Sequence, residues 1–153
     1  MVILMVASFG GHFIQLKRLY HQVERQAPEG QVMFKFITTE DDVVVDNEQA
    51  LCFTNVHRGS GWKAIIASLK QAFGKLKTIN PDVVISTGAL PGLMVCFMAK
   101  LMRKKVIWVD SMANYQQLSF SGRLAKFFCD VCLTQWEHLA ENDKRVTYWG
   151  KVL

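Results

Sequence analysis

Residues 1–26, MVILMVASFGGHFIQLKRLYHQVERQ, decide the fold. Val2 to Ala7 is an unbroken apolar run with β-branched members, too short for a helix of that composition and lacking the alternation of a half-exposed strand, so it predicts a strand covered on both faces. Gly10 and Gly11 break the run. From Phe13, apolar residues recur at 13, 16, 19, 20 and 23, which is helical spacing, and Pro28 and Gly30 end the helix. A buried strand that turns through glycine into an amphipathic helix is the opening unit of a parallel α/β sheet.

The alternation continues. Val32 to Thr38 reads as a second strand, and the polar, acidic stretch 40–50 around Val43 to Val45 as a loop or edge segment. Leu51 to Val56 reads as a third strand, and Gly59 to Ile79 as the longest helix, stopped by Asn80 and Pro81. Val83 to Ser86 predicts a fourth strand, Gly92 to Arg103 a helix, and Val106 to Val109 a fifth strand. A short helix over Gly122 to Phe128, a sixth strand over Val131 to Thr134 and a last one over Val146 to Trp149 complete the pattern. No repeat or linker interrupts it. The 153 residues therefore predict one domain, 1–153, of class α/β: a Rossmann-like, doubly wound parallel sheet.

Lys plus Arg outnumber Asp plus Glu by 18 to 13, a net charge of +5 that suits an anionic partner. The basic residues are not interleaved with aromatics in a nucleic-acid-binding module, so nucleic acid is not expected. Cys129 and Cys132 form a lone C-x-x-C with no second pair, and residues three apart on a strand point to opposite faces. Thiols are expected there, along with Cys52 and Cys96, and no metal. The N-terminal apolar run is too short to span a membrane and lacks the charged start of a signal peptide. The apolar stretch 92–102 is interrupted by Lys100, so any membrane contact is expected to be peripheral.

In open parallel sheets, ligands bind beyond the carboxyl ends of the strands. Ser8-Phe9-Gly10-Gly11-His12 follows the first strand, Ser86-Thr87-Gly88-Ala89 the fourth, Asp110-Ser111 the fifth and Gln135-Trp136 the sixth. Glycines at a helix start let backbone N–H groups approach an anion, which makes Gly10 and Gly11 a possible diphosphate cradle or simply a tight turn. The dinucleotide pattern G-x-G-x-x-G and the P-loop lysine are both missing, which argues against a nicotinamide or flavin enzyme. His12 at that turn suits a general base, a phosphate ligand or a helix cap. Asp110 either orients a sugar hydroxyl or caps backbone N–H groups, and Ser119 and Ser121 suit helix N-caps. His21, His57 and His138 show no partner spacing and read as surface residues.

In the longest helix, Trp62, Ile65, Ile66, Leu69, Phe73 and Leu76 form one stripe, flanked by Lys63, Lys70 and Lys77. Such a stripe either packs on the sheet or meets an anionic membrane, with Trp62 and the lysines as anchors.

SFGGHFIQLKRL, INPDVVISTGALPG, VIWVDSMANYQQLSFSGRLAKFFCDVCLTQWEHL and YWGKVL together resemble the anchor-subunit family of split GT-B glycosyltransferases. Its bacterial, PssD-like members act in exopolysaccharide and capsule synthesis. A eukaryotic relative is the membrane subunit of the dolichol-linked N-acetylglucosaminyltransferase. The chain is also similar to the N-terminal domain of MurG. This resemblance implies the N-terminal-type half of a GT-B enzyme, active only with a partner chain that holds the UDP-sugar, and with no cofactor of its own. It implies a polyprenyl-diphosphate-linked acceptor and a cytoplasmic chain peripheral at the inner face of the plasma membrane. It maps the reacting-centre histidine onto His12 and acceptor-binding positions onto Gly10, Gly11, Thr87, Gly88, Asp110, Ser111, Ser119 and Gln135. Membrane contacts fall on Trp62, Lys63, Lys70 and Lys77. Asp110 departs from the glutamate common in relatives. A non-catalytic scaffold that recruits and stimulates a partner transferase is the competing reading.

Overall fold

Val2–Val6 forms β1, and its side chains divide between two cores, as a strand buried on both faces requires. Ile3 and Met5 face α1 (Gly11–Gln26), packing with Phe13, Leu16 and Tyr20. Leu4 and Val6 face the opposite layer. The structure, a computed structural model, describes residues 1–152.

The remaining strands of the main sheet are β2 (Met33–Thr38), β5 (Leu51–Cys52), β6 (Val83–Ser86), β7 (Lys105–Val109), β8 (Val131–Thr134) and β9 (Thr147–Tyr148). All pairings in this sheet are parallel, in the order β5-β2-β1-β6-β7-β8-β9. The chain winds outward from β1 through β2 to β5, returns to β6 beside β1, and then winds the other way. The strand order thus reverses between β1 and β6, which opens a crevice at their carboxyl ends. The second layer consists of α2 (Trp62–Ile79), α3 (Ala89–Leu101) and the short α4 (Phe120–Ala125). Its core joins Ala72, Leu76, Leu93 and Ala99 to Leu4, Val84, Val106 and Trp108.

Several expectations shift. The segment 40–50 forms a separate antiparallel ribbon of β3 (Val44–Val45) and β4 (Glu48–Gln49), turned by Asp46 and Asn47 at positive φ. That turn suits short Asx side chains. The third strand stops at Cys52 rather than Val56. It is an edge strand with no neighbour beyond it, and after Phe53 donates to the Thr38 carbonyl the chain leaves the sheet. A further helix, α5 (Glu137–Asn142), precedes β9 and had no counterpart in the sequence reading. α3 starts at Ala89, so Pro91 sits in its first turn, where a missing N–H costs nothing.

The stripe on α2 does not pack on the sheet as a unit. Ser68, Ala72 and Leu76 are the buried positions, whereas Trp62 is 69%, Ile66 45% and Phe73 46% exposed. At 100° per residue the small residues face inward, the large apolar ones stand beside them, and Lys63, Lys70 and Lys77 lie farther out on the same side. Substitution should separate these faces. Leu76→Ala is expected to lower the unfolding free energy by about 2–5 kcal/mol. Phe73→Ser should stay within about 0.5 kcal/mol of the parent. Urea unfolding followed by circular dichroism reads both, and a large loss for Phe73→Ser would contradict the packing described.

Candidate functional site

A cleft of about 520 Å³ lies at the carboxyl edge of the sheet, over the point where the strand order reverses. Four segments wall it: the turn into α1, the loop after β5, the start of α3 at Ala89 to Pro91, and the stretch from β7 into α4. Ser8, His12, Ser111 and Ser119 line it, together with Asn55, His57 and Arg58.

His12 is held by the neighbouring turn. Its Nδ1 lies 3.0 Å from the Thr87 carbonyl oxygen, and the Thr87 hydroxyl donates to the His12 carbonyl at 2.7 Å. A carbonyl only accepts, so Nδ1 carries the proton and Nε2 keeps a lone pair. Gly88 makes this approach possible. A Cβ there would stand 2.5 Å from His12 Nδ1, and its φ of +135° is costly for any side chain. Thr87 is fully buried. Thr87 and Gly88 therefore position His12 and do not line the cleft. Gly10 sits at φ +108° immediately before α1, and a Cβ on Gly10 or Gly11 would meet open space. The reach for a ligand at that helix start is thus unobstructed.

Asp110 is 1% exposed, and both carboxylate oxygens are occupied. Oδ1 accepts from Trp108 Nε1 at 3.2 Å and from the Ser119 hydroxyl, and Oδ2 accepts from the Ser119 amide at 2.7 Å. Ser119 in turn caps α4, its Oγ accepting from the Gly122 amide at 2.8 Å. A Cβ at Gly122 would stand 2.5 Å from Asp110 Oδ1. Of the two alternatives for Asp110, the geometry supplies the capping one, and Ser119 and not the acid reaches the cleft. Ser121 is buried in the cleft wall, and the cap falls to Ser119 alone.

Gln135 is likewise buried. Its Nε2 donates to the Asp110 carbonyl at 3.0 Å and to Gln15 Oε1 at 3.1 Å, and its Oε1 accepts from the Val152 amide at 3.0 Å. Gln15 Nε2 reaches Ser111 Oγ at 3.3 Å. The network ties α1, the end of β7, the end of β8 and the last described residue into one rim. It sets the height of Ser111, which does line the cleft.

His57, read from the sequence as a surface residue, is exposed but forms part of the cleft, as do Asn55 and Arg58. The rule of looking beyond each strand's carboxyl end would have found them had the third strand been ended at Cys52. His138 bonds the Tyr115 carbonyl, and His21 lies 3.8 Å from Glu24 and 3.6 Å from Asp46, outside the cleft. Burial pushes the Cys132 thiol up to about 12 and raises the Cys96 thiol as well. Neither is poised as a nucleophile.

Comparison with known proteins follows the same lines. The chain is 37% identical over 77 residues to the UDP-N-acetylglucosamine transferase subunit ALG14 of Yarrowia lipolytica, covering 46% of this chain and 36% of that one. It is 29% identical over 107 residues to the protein of the same name in Eremothecium gossypii, covering 62% and 48%. The chain thus spans less than half the length of these curated relatives. In fold it is similar to MurG of Acinetobacter baumannii, with a TM-score of 0.68 and 15% identity over 88% of this chain and 41% of that one. It is similar also to the UDP-GlcNAc 2-epimerase of Methanocaldococcus jannaschii, with a TM-score of 0.72 and 14% identity over 97% and 45%. At such identities the likeness establishes the architecture alone: a Rossmann-like, doubly wound parallel α/β sheet. The sequence profile of the family described as "Oligosaccharide biosynthesis protein Alg14 like" matches residues 55–152, from the cleft loop to the end of the rim network. With well over half its length matched, the chain belongs to the Alg14-like family of oligosaccharide biosynthesis proteins.

Proposed function

We propose that this chain is the acceptor-binding, membrane-associating subunit of a two-chain glycosyltransferase. In this reading it holds a polyprenyl-diphosphate-linked saccharide in exopolysaccharide or capsule synthesis, and a partner chain holds the UDP-sugar. The observation that carries the reading is His12, which lines the cleft with Nδ1 engaged by the Thr87 carbonyl and Nε2 left without a partner.

Transfer with inversion needs a base for the acceptor hydroxyl and charge stabilisation for the departing UDP. His12 Nε2 takes the hydroxyl proton as that oxygen attacks the anomeric carbon and the bond to UDP breaks. The proton shared by Nδ1 and the Thr87 carbonyl stays in place and stabilises the imidazolium. Stabilisation of UDP falls to the partner, because the cleft of this chain is open on the side a second domain would close. At the membrane, Trp62, Ile66 and Phe73 enter the interface while Lys63, Lys70 and Lys77 meet anionic headgroups. No described helix is long and apolar enough to cross a bilayer, so a peripheral position at the cytoplasmic face suits this surface.

The purified chain is expected to show no transferase activity, and adding its donor-binding partner should restore it. Robust turnover by the chain alone would refute the two-chain reading. In the complex, His12→Ala should cost roughly 10²- to 10⁴-fold in kcat with assembly intact. Gly88→Ala should approach that loss by displacing the ring. A His12→Ala complex with full activity would favour the scaffold role instead. Phe73→Glu is expected to weaken co-sedimentation with anionic vesicles without unfolding the chain, and unchanged binding would remove α2 as the contact.

A further inference from the structure

The cleft is electrostatically one-sided. Its polar lining consists of serines, asparagines, two histidines and Arg58, and no aspartate or glutamate contributes to it. Elsewhere among the described residues three lysines pair with carboxylates, Lys35 with Glu48, Lys100 with Asp130 and Lys126 with Asp143, and most other lysines and arginines stand unpaired on the surface. Among the described residues Arg58 has no carboxylate partner. Its guanidinium instead lies 4.8 Å from the centroid of the Phe120 ring, across the cleft mouth at the start of α4. A cation–π contact consumes none of the guanidinium N–H donors, and it restrains a long side chain before any ligand arrives.

The preceding residue adds a second donor. His57 Nδ1 accepts from the Gly59 amide at 3.2 Å, so its Nε2 carries the proton. This is the opposite tautomer to His12, whose Nε2 accepts. The loop is braced by two reciprocal bonds, His57 amide to Ser60 Oγ at 3.1 Å and Ser60 amide to the His57 carbonyl at 2.9 Å. One wall of the cleft thus offers a base and the other a fixed set of cationic and N–H donors. That division matches a ligand with a hydroxyl at one end and a multiply charged anion at the other.

We infer that Arg58, assisted by His57, grips the diphosphate of the lipid-linked acceptor. The inference takes the identity of the acceptor from the proposed function, but the anion site itself stands on the cleft. Lipid rather than nucleotide diphosphate is favoured by what adjoins the corner. Phe120 lines the cleft, and Leu124, one helical turn on, lines a groove of about 360 Å³ walled with Leu93, Met94, Phe97 and Phe127. A diphosphate held at Arg58 therefore has an apolar path for a hydrocarbon chain directly beside it. The fork of an arginine suits two phosphate oxygens at once, whereas a lysine would act as a single point charge.

The test uses the full chain and inorganic pyrophosphate, with calorimetry for affinity and NMR of the arginine and histidine side chains for location. Arg58→Gln is expected to weaken binding roughly 10- to 100-fold, the loss of charge-assisted bonds to an anion. Arg58→Lys should recover part of it, and Arg25→Gln, an equal charge loss at the far end of α1, should bind as the parent does. Parent-like binding by Arg58→Gln, or an equal loss in Arg25→Gln, would overturn the site. In the complex with the donor-binding chain, Arg58→Gln should raise KM for the lipid-linked acceptor and leave KM for the UDP-sugar unchanged, and the reverse would overturn the assignment to the acceptor. Saturable pyrophosphate binding lost in Arg58→Gln, by a chain whose complex is inactive, would support the anion site and dispose of the transferase reading separately.

Discussion

The reciprocal pair between His12 and Thr87 is the constraint on which the rest of the site depends. Two bonds, imidazole N–H to carbonyl and hydroxyl to carbonyl, join the start of α1 to the turn after β6 across the reversal of strand order. Without them, the two turns would be held only by the sheet beneath. With them, one ring nitrogen is committed and the other is presented to the cleft. The close approach requires glycine at 88, so a sequence feature that looks like a phosphate-binding turn is explained by the histidine that fills its space. Helix start, turn and imidazole are one device, and its chemistry is fixed by a backbone carbonyl rather than by a carboxylate.

A second layer of polar contacts supports that device. Asp110 and Gln135 lie under the rim with every side-chain polar atom engaged. A buried carboxylate is tolerated only when donors replace its water, and here Trp108 and Ser119 do so. The same bonds leave Asp110 no free lone pair aimed at the cleft, and the burial removes any route for a sugar to it. The shorter acid in place of a longer one fits this role. Gly122 sits close enough that a Cβ there would collide with Asp110.

The alternation of buried strands and amphipathic helices was legible because it is local: Val2 to Val6, Val83 to Ser86 and Val106 to Val109 are each covered on both faces and read as continuous apolar runs. Rim position was legible too, since it follows from topology. What a rim side chain does was not. Thr87 and Gln135 stand at the expected ends of strands yet turn inward, because their partners come from segments distant in sequence, His12 for the one and Gln15 for the other, whereas Asp110 turns inward to the nearby Trp108 and Ser119. The loop holding Asn55, His57 and Arg58 was hidden for a different reason. Thr54 to Val56 has strand-forming composition, but an edge strand ends where its single neighbour stops offering carbonyls, and Thr38 is the last.

The longest helix shows how one apolar stripe can serve two surroundings. Helices pack closely where small residues meet, and Ser68 and Ala72 supply that contact on the inner face of α2, with α3 as the neighbour. Had the stripe been centred on the core, Trp62, Ile66 and Phe73 would be inside and each would contribute about 1.5–3 kcal/mol of burial. Instead the helix is rotated so that they stand outside, next to the groove lined by Phe97 and Phe127. That rotation forgoes stability in water. An exposed apolar stripe flanked by lysines is the surface that the proposed contact with anionic lipid would cover.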